Sequence, residues 1–322
     1  MMQIIKTSIH RITCLLIITM AACIPSKAQT EIDGIMMAKN NYCSGLMYNY
    51  SSWDQYWEGT LKRNNLNLGT VSTTTIAYMG NYGVSDKLNV LFGLPYIKTK
   101  ASTGTFSGLS GLQDLSLWVK WMPYEKDFGK SVLAFYAIGG VSLPVSDYTP
   151  DLLPFSIGLR SKTLSLRAMA DYQIGSWFAT VSGTYVVRDK VTLDRELYYT
   201  TQLHQTNEVA MPDASSINIR AGYRTGRLIA EAVWNKWTTL GGFDITRNNM
   251  PFVSNRMNAT MLGVNFKYNL KGVDGLSLIA NANATLSGRN MGQASNIGGG
   301  VFYILDFTPK KKTEKKADTS KK

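Results

Sequence analysis

Apolar and polar residues alternate one by one along most of this 322-residue chain. In the clearest stretch, 276–287, leucine and alanine recur at every second position, and serine, asparagine and threonine take most of the positions between them. The same period of two recurs at 164–173 and 217–224. Successive side chains of a β-strand point to opposite faces, so the pattern predicts strands with one apolar and one polar face.

The connections between these strands are predicted to alternate in length. Long ones follow odd-numbered strands, as at 189–213, and short turns follow even-numbered strands, as at 175–176 and 225–226. Short periplasmic turns and long external loops are typical of outer-membrane β-barrels. The predicted strands lie near 42–53, 67–82, 87–99, 111–122, 130–143, 160–174, 177–188, 214–224, 227–238, 256–268, 275–286 and 297–307.

We therefore predict an all-β fold, a closed antiparallel transmembrane barrel of about twelve strands with both termini in the periplasm. The apolar faces would meet lipid and the polar faces would line the lumen. A hairpin within 189–213 would raise the count to fourteen. In the alternative, a soluble β-sandwich, the apolar faces would form the core. The barrel must close, because lipid offers no partner for an unpaired strand edge.

Aromatic residues favour the barrel over the sandwich, because they cluster near predicted strand ends, where membrane interfaces attract them. The periplasmic ends carry Trp121, Tyr124, Tyr172, Trp177, Tyr303 and Phe307. The external ends carry Trp53, Trp57, Trp234 and Trp237.

The N-terminus predicts export. Residues 1–28 combine a basic start, a short apolar run and small residues before a cleavage site after Ala28, as a secretory signal peptide does. Processing as a lipoprotein at Cys23 is the alternative. Residues 29–41 are predicted to be a periplasmic leader or, through their apolar 35–37 cluster, a plug in the lumen. The barrel would then occupy 42–307.

The formal net charge of +12 is unevenly placed. Residues 1–28 hold three cations and no acid, and 310–322 hold seven lysines and two acids. We read 308–322 as a disordered, solvated tail. The barrel itself carries little excess charge, so nothing in it predicts nucleic-acid binding.

The sequence offers little support for catalysis or metal binding. Beyond the signal peptide the chain holds one histidine, His204, and one cysteine, Cys43, which gives no metal-ligand spacing and no internal disulfide. An acid–histidine site in the 189–213 loop is conceivable, but a solvated loop histidine is the simpler interpretation. We expect no enzyme activity, no cofactor and no metal, and we expect Cys43 to be a thiol without catalytic duty.

Four short motifs carry a family resemblance. GVSDKL at 83–88, GLPY at 93–96 and GLQDLSLWVK at 111–120 resemble the outer-membrane proteins associated with the meta-cleavage pathway of phenol degradation. SGRNMGQ at 287–293 is similar to the closing hairpin of that family. The family in turn resembles, more remotely, the long-chain fatty-acid transporters. The resemblance implies a transporter-like barrel that passes apolar or aromatic small molecules.

Charged residues on the polar faces are the candidate site. Arginine or lysine at the bilayer midplane of the lipid face costs about 2–4 kcal/mol, so these charges should face the lumen. They would line a selectivity region, or brace a narrow barrel as ion pairs. The candidates are Asp114, Lys120, Arg167, Asp171, Arg220, Arg224, Glu231 and Lys267.

The sequence thus predicts a channel for small solutes in the outer membrane of a Gram-negative bacterium. Its expected partners are membrane lipids, the barrel-assembly machinery and a small-molecule solute. A structural or adhesive barrel without flux is the main alternative, and a barrel hydrolase is a remote one.

Overall fold

The computed structural model describes residues 30–246 and 251–309. Twelve long strands, here β1–β12, form an antiparallel sheet in which each pairs with its neighbours in the chain. They are β1 Asn41–Trp53, β2 Val71–Ser85, β3 Leu88–Ala101, β4 Asp114–Asp127, β5 Ser131–Pro144, β6 Thr163–Ile174, β7 Trp177–Arg188, β8 Ala214–Arg224, β9 Leu228–Thr239, β10 Asn258–Asn269, β11 Leu276–Arg289 and β12 Ser295–Asp306.

Pairing of the first strand with the last closes the barrel. Asn41 faces Asp306 at one end of the β1–β12 pair, and Ser52 faces Ser295 at the other. The other edge of β1 pairs with β2. The predicted closed antiparallel barrel of twelve strands is confirmed. Among the described residues, no helix is long and apolar enough to cross a membrane.

The 189–213 loop does form hairpins, but they do not enlarge the barrel. Val191–Thr192 pairs with Glu208–Val209, and Tyr198–Tyr199 pairs with Leu203–His204. Each pair forms its own two-stranded sheet. The alternative count of fourteen strands is therefore wrong, because these strands pair with each other and not with β7 or β8.

The fourth strand runs further than the sequence suggested. It continues past Pro123 to Asp127, and its pairing with β5 shifts register between Trp121 and Tyr124. A β-bulge tolerates proline, because a bulged residue donates no ladder hydrogen bond. The start of the predicted strand is a separate short strand, Ser110–Leu112, which pairs with β3.

Side-chain exposure follows the alternation. In β7, Trp177, Val181 and Tyr185 are exposed on the outer surface, whereas Phe178 and Thr180 are buried inside. The outer surface is thus an apolar band suited to lipid. All six predicted periplasmic-end aromatics lie on it, with 43% or more of their surface exposed.

The predicted external tryptophan girdle is wrong at three of its four positions. Trp57 is 8% exposed and fills the space above Gly288. Trp53 packs against Gly292, and Trp237 lies with its ring 5.4 Å from the Arg188 guanidinium. Strand phase places Trp53 and Trp237 on the inner side, which a rule based only on distance from a strand end does not capture.

The external loops pack into a cap over the barrel mouth. Loops 145–162, 189–213 and 240–257 meet in an apolar cluster that includes Val191, Val209, Phe252 and Val253. The Thr99 hydroxyl at the end of β3 donates to the Phe155 carbonyl at 2.7 Å, which ties loop 145–162 down. We call this assembly the external cap.

Candidate functional site in the barrel lumen

The described N-terminal residues lie inside the barrel. The Lys120 side chain on β4 is fully buried, and its ammonium lies 2.6 Å from the Asp33 carbonyl oxygen, 2.8 Å from that of Ile35 and 3.1 Å from that of Thr30. The Asp33 carboxylate adds a fourth acceptor at 3.1 Å. An ammonium has three donors, so this arrangement satisfies all of them and fixes residues 30–35 against the wall.

Two further wall residues hold the same segment. The Tyr136 hydroxyl donates to the Gly34 carbonyl at 2.9 Å, and an Arg167 Nη donates to the Glu31 carbonyl at 2.9 Å. Gly34 itself packs directly on the Asp171 side chain, where a Cβ would overlap the carboxylate. We call residues 30–40 the inner segment. Its backbone polar groups replace water as partners of the lumen charges.

The remaining central charges form two ion pairs. Arg220 Nη lies 2.6 Å from Glu231 Oε1, and Arg224 holds both oxygens of Asp171 at 2.9 and 3.1 Å. The Thr180 hydroxyl also donates to Asp171. All four charged side chains are less than a tenth exposed. Such buried pairs need their remaining polar atoms satisfied.

Neighbouring side chains provide hydrogen-bond partners for some of these remaining polar atoms. Asn218 Oδ1 accepts from Arg220 Nε at 3.1 Å, and Asn265 Nδ2 donates to Glu231 at 2.8 Å. The Arg224 guanidinium lies 3.8 Å from the centre of the Phe178 ring, a cation–π contact. The central charges are therefore held rigidly.

Two of the predicted residues lie away from this centre. Asp114 accepts a hydrogen bond of 2.7 Å from the Tyr148 hydroxyl of an external loop. Burial raises the pKa of the Tyr148 phenol, and the bond to Asp114 raises it further. Lys267 on β10 is 7% exposed and lines a cavity in the lumen. All eight predicted residues thus point inward, and Lys120, Arg167, Asp171, Arg220, Arg224 and Glu231 surround the inner segment.

The inner segment separates two cavities. One, of about 490 Å³, is lined by the segment and by residues of β1, β2, β6 and β8–β12, and we call it the inner cavity. The other, of about 790 Å³, opens toward the short turns and is here the periplasmic vestibule. Ile35 and Arg224 border both cavities. Residues 30–33 of the segment line the inner cavity and residues 34–38 line the vestibule, so the chain passes from one cavity to the other at Ile35.

The inner cavity has two chemically different walls. Met47, Met79, Ile279 and Phe302 form an apolar wall contributed by β1, β2, β11 and β12. The charged side chains of the lining come from β6 and from β8–β10. They are Arg167, Arg220, Arg224, Glu231 and Lys267.

Among residues 30–246 and 251–309, no acidic side chain pairs with His204. Its Nε2 lies 3.0 Å from the Thr200 hydroxyl, and its ring stacks on Tyr198 at 4.7 Å between centroids. Glu208 pairs instead with Lys190, and Asp213 accepts from Tyr185. Over 30–246 and 251–309, no cluster of histidine, cysteine or carboxylate residues could hold a metal.

The sequence reasoning missed the residues that complete the site. Asp33 and Tyr136 were not singled out, and neither were the polar residues Thr180, Asn218 and Asn265. The last three occupy polar-face positions of predicted strands, so the same phase argument could have found them. Nothing in the sequence linked the backbone carbonyls of 30–35 to Lys120.

Comparisons with known proteins agree on the fold. No protein-family model matches the chain, and no curated protein matches it. An outer-membrane channel from Pseudomonas putida F1 superposes with a TM-score of 0.69 at 12% identity, over 87% of this chain and 100% of that chain. This likeness shows an outer-membrane β-barrel fold. The meta-cleavage family resemblance is not confirmed and stays a prediction.

Two further barrels are more distant. The translocator domain of an autotransporter from Neisseria meningitidis has a TM-score of 0.45 at 11% identity, over 85% of this chain and 91% of that chain. A FadL homologue from Pseudomonas aeruginosa has a TM-score of 0.35 at 11% identity, over 83% and 91%. Neither likeness is close enough to add to the argument.

Proposed function

We propose that this protein is a passive outer-membrane channel for small solutes that carry an apolar or aromatic part. The observation that carries the proposal is the pair of cavities on either side of the inner segment. A barrel that served only as a scaffold could fill its lumen with side chains. Here the space on both sides is open, and a short stretch of chain divides it.

The chemistry of the inner cavity supports the solute class. A methionine and aromatic wall offers apolar contact, and methionine adapts readily to different shapes. The arginines of β6 and β8 in the same cavity can hydrogen-bond a hydroxyl or carboxylate. A small amphipathic molecule, such as an aromatic acid or alcohol, can make apolar contacts and hydrogen bonds in this cavity at the same time. A sugar can use the hydrogen bonds but not the apolar contacts.

In this proposal the inner segment is a plug. Polar contacts of Lys120, Tyr136 and Arg167 with backbone carbonyls hold it, and it joins the barrel at the start of β1. Polar contacts exchange with water more readily than a packed apolar core. Partial withdrawal of 30–35 would join the two cavities into one passage.

A structural barrel without flux is the competing function. The external cap and the two buried ion pairs favour it, because both close and stiffen the barrel. The two functions predict different results when the side chains that hold the inner segment are removed. A channel should then conduct more, whereas a structural barrel should stay closed.

The test uses refolded protein in planar bilayers and in liposomes. We expect small single-channel conductance from the wild type, and faster liposome swelling with an aromatic acid than with a sugar of similar size. Replacing Arg220 and Arg224 together by alanine should shift the reversal potential toward cations, because two lumen cations are lost. Absence of conductance and uptake, both in the wild type and after removal of 30–39, would establish the structural alternative.

A further inference from the structure

The outer face of β1, β2 and β3 changes character at the external end of the barrel. Strand register places the outward residues of these three strands in rows that run across them. One row is apolar and aromatic, and the next two rows toward the external loops are polar and basic. The apolar row is Tyr48, Ile76 and Tyr96, and the polar rows are Tyr50, Thr74 and Lys98, then Ser52, Ser72 and Lys100.

This change coincides with the expected edge of the hydrocarbon. Every outward residue of β3 from Leu88 to Tyr96 is apolar or aromatic, which amounts to about 26 Å of strand at about 3.3 Å per residue. At a tilt of about 40° this covers about 20 Å of depth, close to the apolar band of about 25 Å in such barrels. Lys98 and Lys100 follow, and both are exposed. They therefore lie at the level of the lipid headgroups.

The two lysines border a groove of about 620 Å³ on the outer surface. Tyr50, Ser72 and Thr74 line it too, so hydroxyl groups stand beside the ammonium groups. Among residues 30–246 and 251–309, neither lysine makes an ion pair, and the hydroxyls of Tyr50 and Thr74 have no hydrogen-bond partner. These donors are available to a ligand.

The acids nearest in the chain do not neutralise the groove. The loop after β1 contains Asp54 and Glu58, and Glu58 lies 2.6 Å from the Arg63 guanidinium. Neither acid lines the groove. A phosphate monoester carries close to two negative charges at neutral pH, which two lysines on one strand face can match. Lysine binds phosphate as a compact cation, and hydroxyls can donate to the remaining oxygens.

We propose that this groove binds the phosphate-bearing headgroup of a lipid in the outer leaflet of the membrane. Lys98 and Lys100 pair with the phosphate, and Tyr50 and Thr74 donate to its oxygens. The acyl chains of the same lipid lie against the apolar row directly below. A lipid fits better than a free anion, because the groove opens on the lipid-facing surface and adjoins the apolar band. The site lies outside the lumen and does not depend on the proposed channel function.

Lys236 offers a matched control on another part of the barrel. It is exposed and points outward near the external end of β9. Its neighbours in register are the uncharged Ile217 and Thr260, so it stands alone in its row. A general attraction of lysines to an anionic membrane would involve Lys236 as much as Lys98, whereas a specific site would not.

Binding is tested by native mass spectrometry of refolded full-length protein in detergent. The probe is lipid A, an acylated disaccharide with phosphate groups, and its dephosphorylated form is the comparison. We expect wild type to retain lipid A, and Lys98→Gln with Lys100→Gln to retain about tenfold less, because hydrogen bonds to a charged group are worth at least that factor. The dephosphorylated probe should be retained equally poorly. Lys236→Gln should bind as wild type does. Equal retention of the dephosphorylated lipid, or an equal loss in Lys236→Gln, would overturn the proposal.

The source of the phosphate is decided by competition. Inorganic phosphate in millimolar excess should leave lipid A bound, because it lacks the acyl chains that contact the apolar row. Complete displacement by inorganic phosphate would assign the groove to a free anion and would rule out the lipid.

A labelling experiment on the unsubstituted protein avoids any effect of the variants on folding. Lipid A should protect Lys98 and Lys100 from an amine-acetylating reagent and leave Lys236 reactive. Lys98→Arg with Lys100→Arg keeps both charges and should keep lipid A binding. Unchanged labelling of Lys98 and Lys100 in the presence of lipid A would contradict the site.

Discussion

The Lys120 ammonium lies 2.6 Å from the Asp33 carbonyl oxygen, although 87 positions separate the two residues in the chain. This contact joins the fourth strand of the barrel wall to a segment that precedes the first strand. It places a fully buried cation at the point where the lumen is interrupted. In the proposed channel, Lys120 would be a main anchor of the plug, because its ammonium contacts four acceptors within residues 30–35.

Replacing Lys120 by methionine should release the plug. A hydrogen bond to a charged group stabilises by about 1.5–3 kcal/mol, so losing three exceeds the 1.4 kcal/mol that changes an equilibrium tenfold. We expect single-channel conductance to rise several-fold and residues 30–39 to become accessible to protease. The control is Lys126→Met, which removes an exposed lysine of the same strand. Unchanged conductance and protection in Lys120→Met would show that the segment is held by other contacts.

Gly34→Ala should displace the plug by a different route. The added Cβ would overlap the Asp171 carboxylate, which Arg224 and Thr180 hold in place and which therefore cannot move aside. Gly183→Ala is the matched control, because a Cβ there meets no atom within 4 Å. We expect Gly34→Ala to raise conductance with little change in barrel unfolding, and Gly183→Ala to alter neither. Normal plug protection in Gly34→Ala would contradict the close approach.

The Arg220–Glu231 pair should show strong coupling in a double-mutant cycle. Removing one partner leaves the other charge buried and uncompensated, at a cost of about 3–5 kcal/mol, whereas removing both restores neutrality. We expect Arg220→Met to destabilise the barrel far more than Arg220→Met with Glu231→Gln, measured as urea unfolding from lipid vesicles. Additive effects in the cycle would mean that the two side chains do not interact in the membrane.

The external cap should loosen in acid through Asp244. Hydrogen bonds from Arg289, at 2.5 and 2.7 Å, hold the pKa of Asp244 below its usual range, and Asn290 adds a third bond. A lowered native pKa means that this stabilisation is present above the ordinary aspartate value of about 3.9 and is lost as pH falls through the native one. Hydrogen exchange in 240–246 should therefore accelerate below about pH 4 beyond the intrinsic rate.

Asp244→Asn should remove this pH dependence, because the amide cannot titrate. Glu196→Gln, on a different external loop, serves as the control and should leave it intact. An acid transition that persists in Asp244→Asn would assign it to another group of the cap.

The local residue pattern was enough to predict the barrel wall. The period of two fixed which face of each strand meets lipid, since a shift of one residue would turn every charge of the lumen outward. Loop lengths fixed the order and direction of the strands, and strand phase placed Asp171, Arg220 and Glu231 inside. These properties depend on neighbours in the sequence, and a sequence shows neighbours directly.

Contacts across the lumen were decided only by the tertiary structure. The sequence could not pair Arg224 with Asp171 and Arg220 with Glu231, because the stagger between strands decides which inward charges lie at equal depth. It left 29–41 open as leader or plug, because the carbonyls that meet Lys120 belong to the backbone and leave no mark in the residue pattern. Burial of Trp57 against Gly288, too, depends on a contact between segments far apart in the chain. The sequence by itself determined a wall with two faces, and closure of the barrel determined what meets inside it.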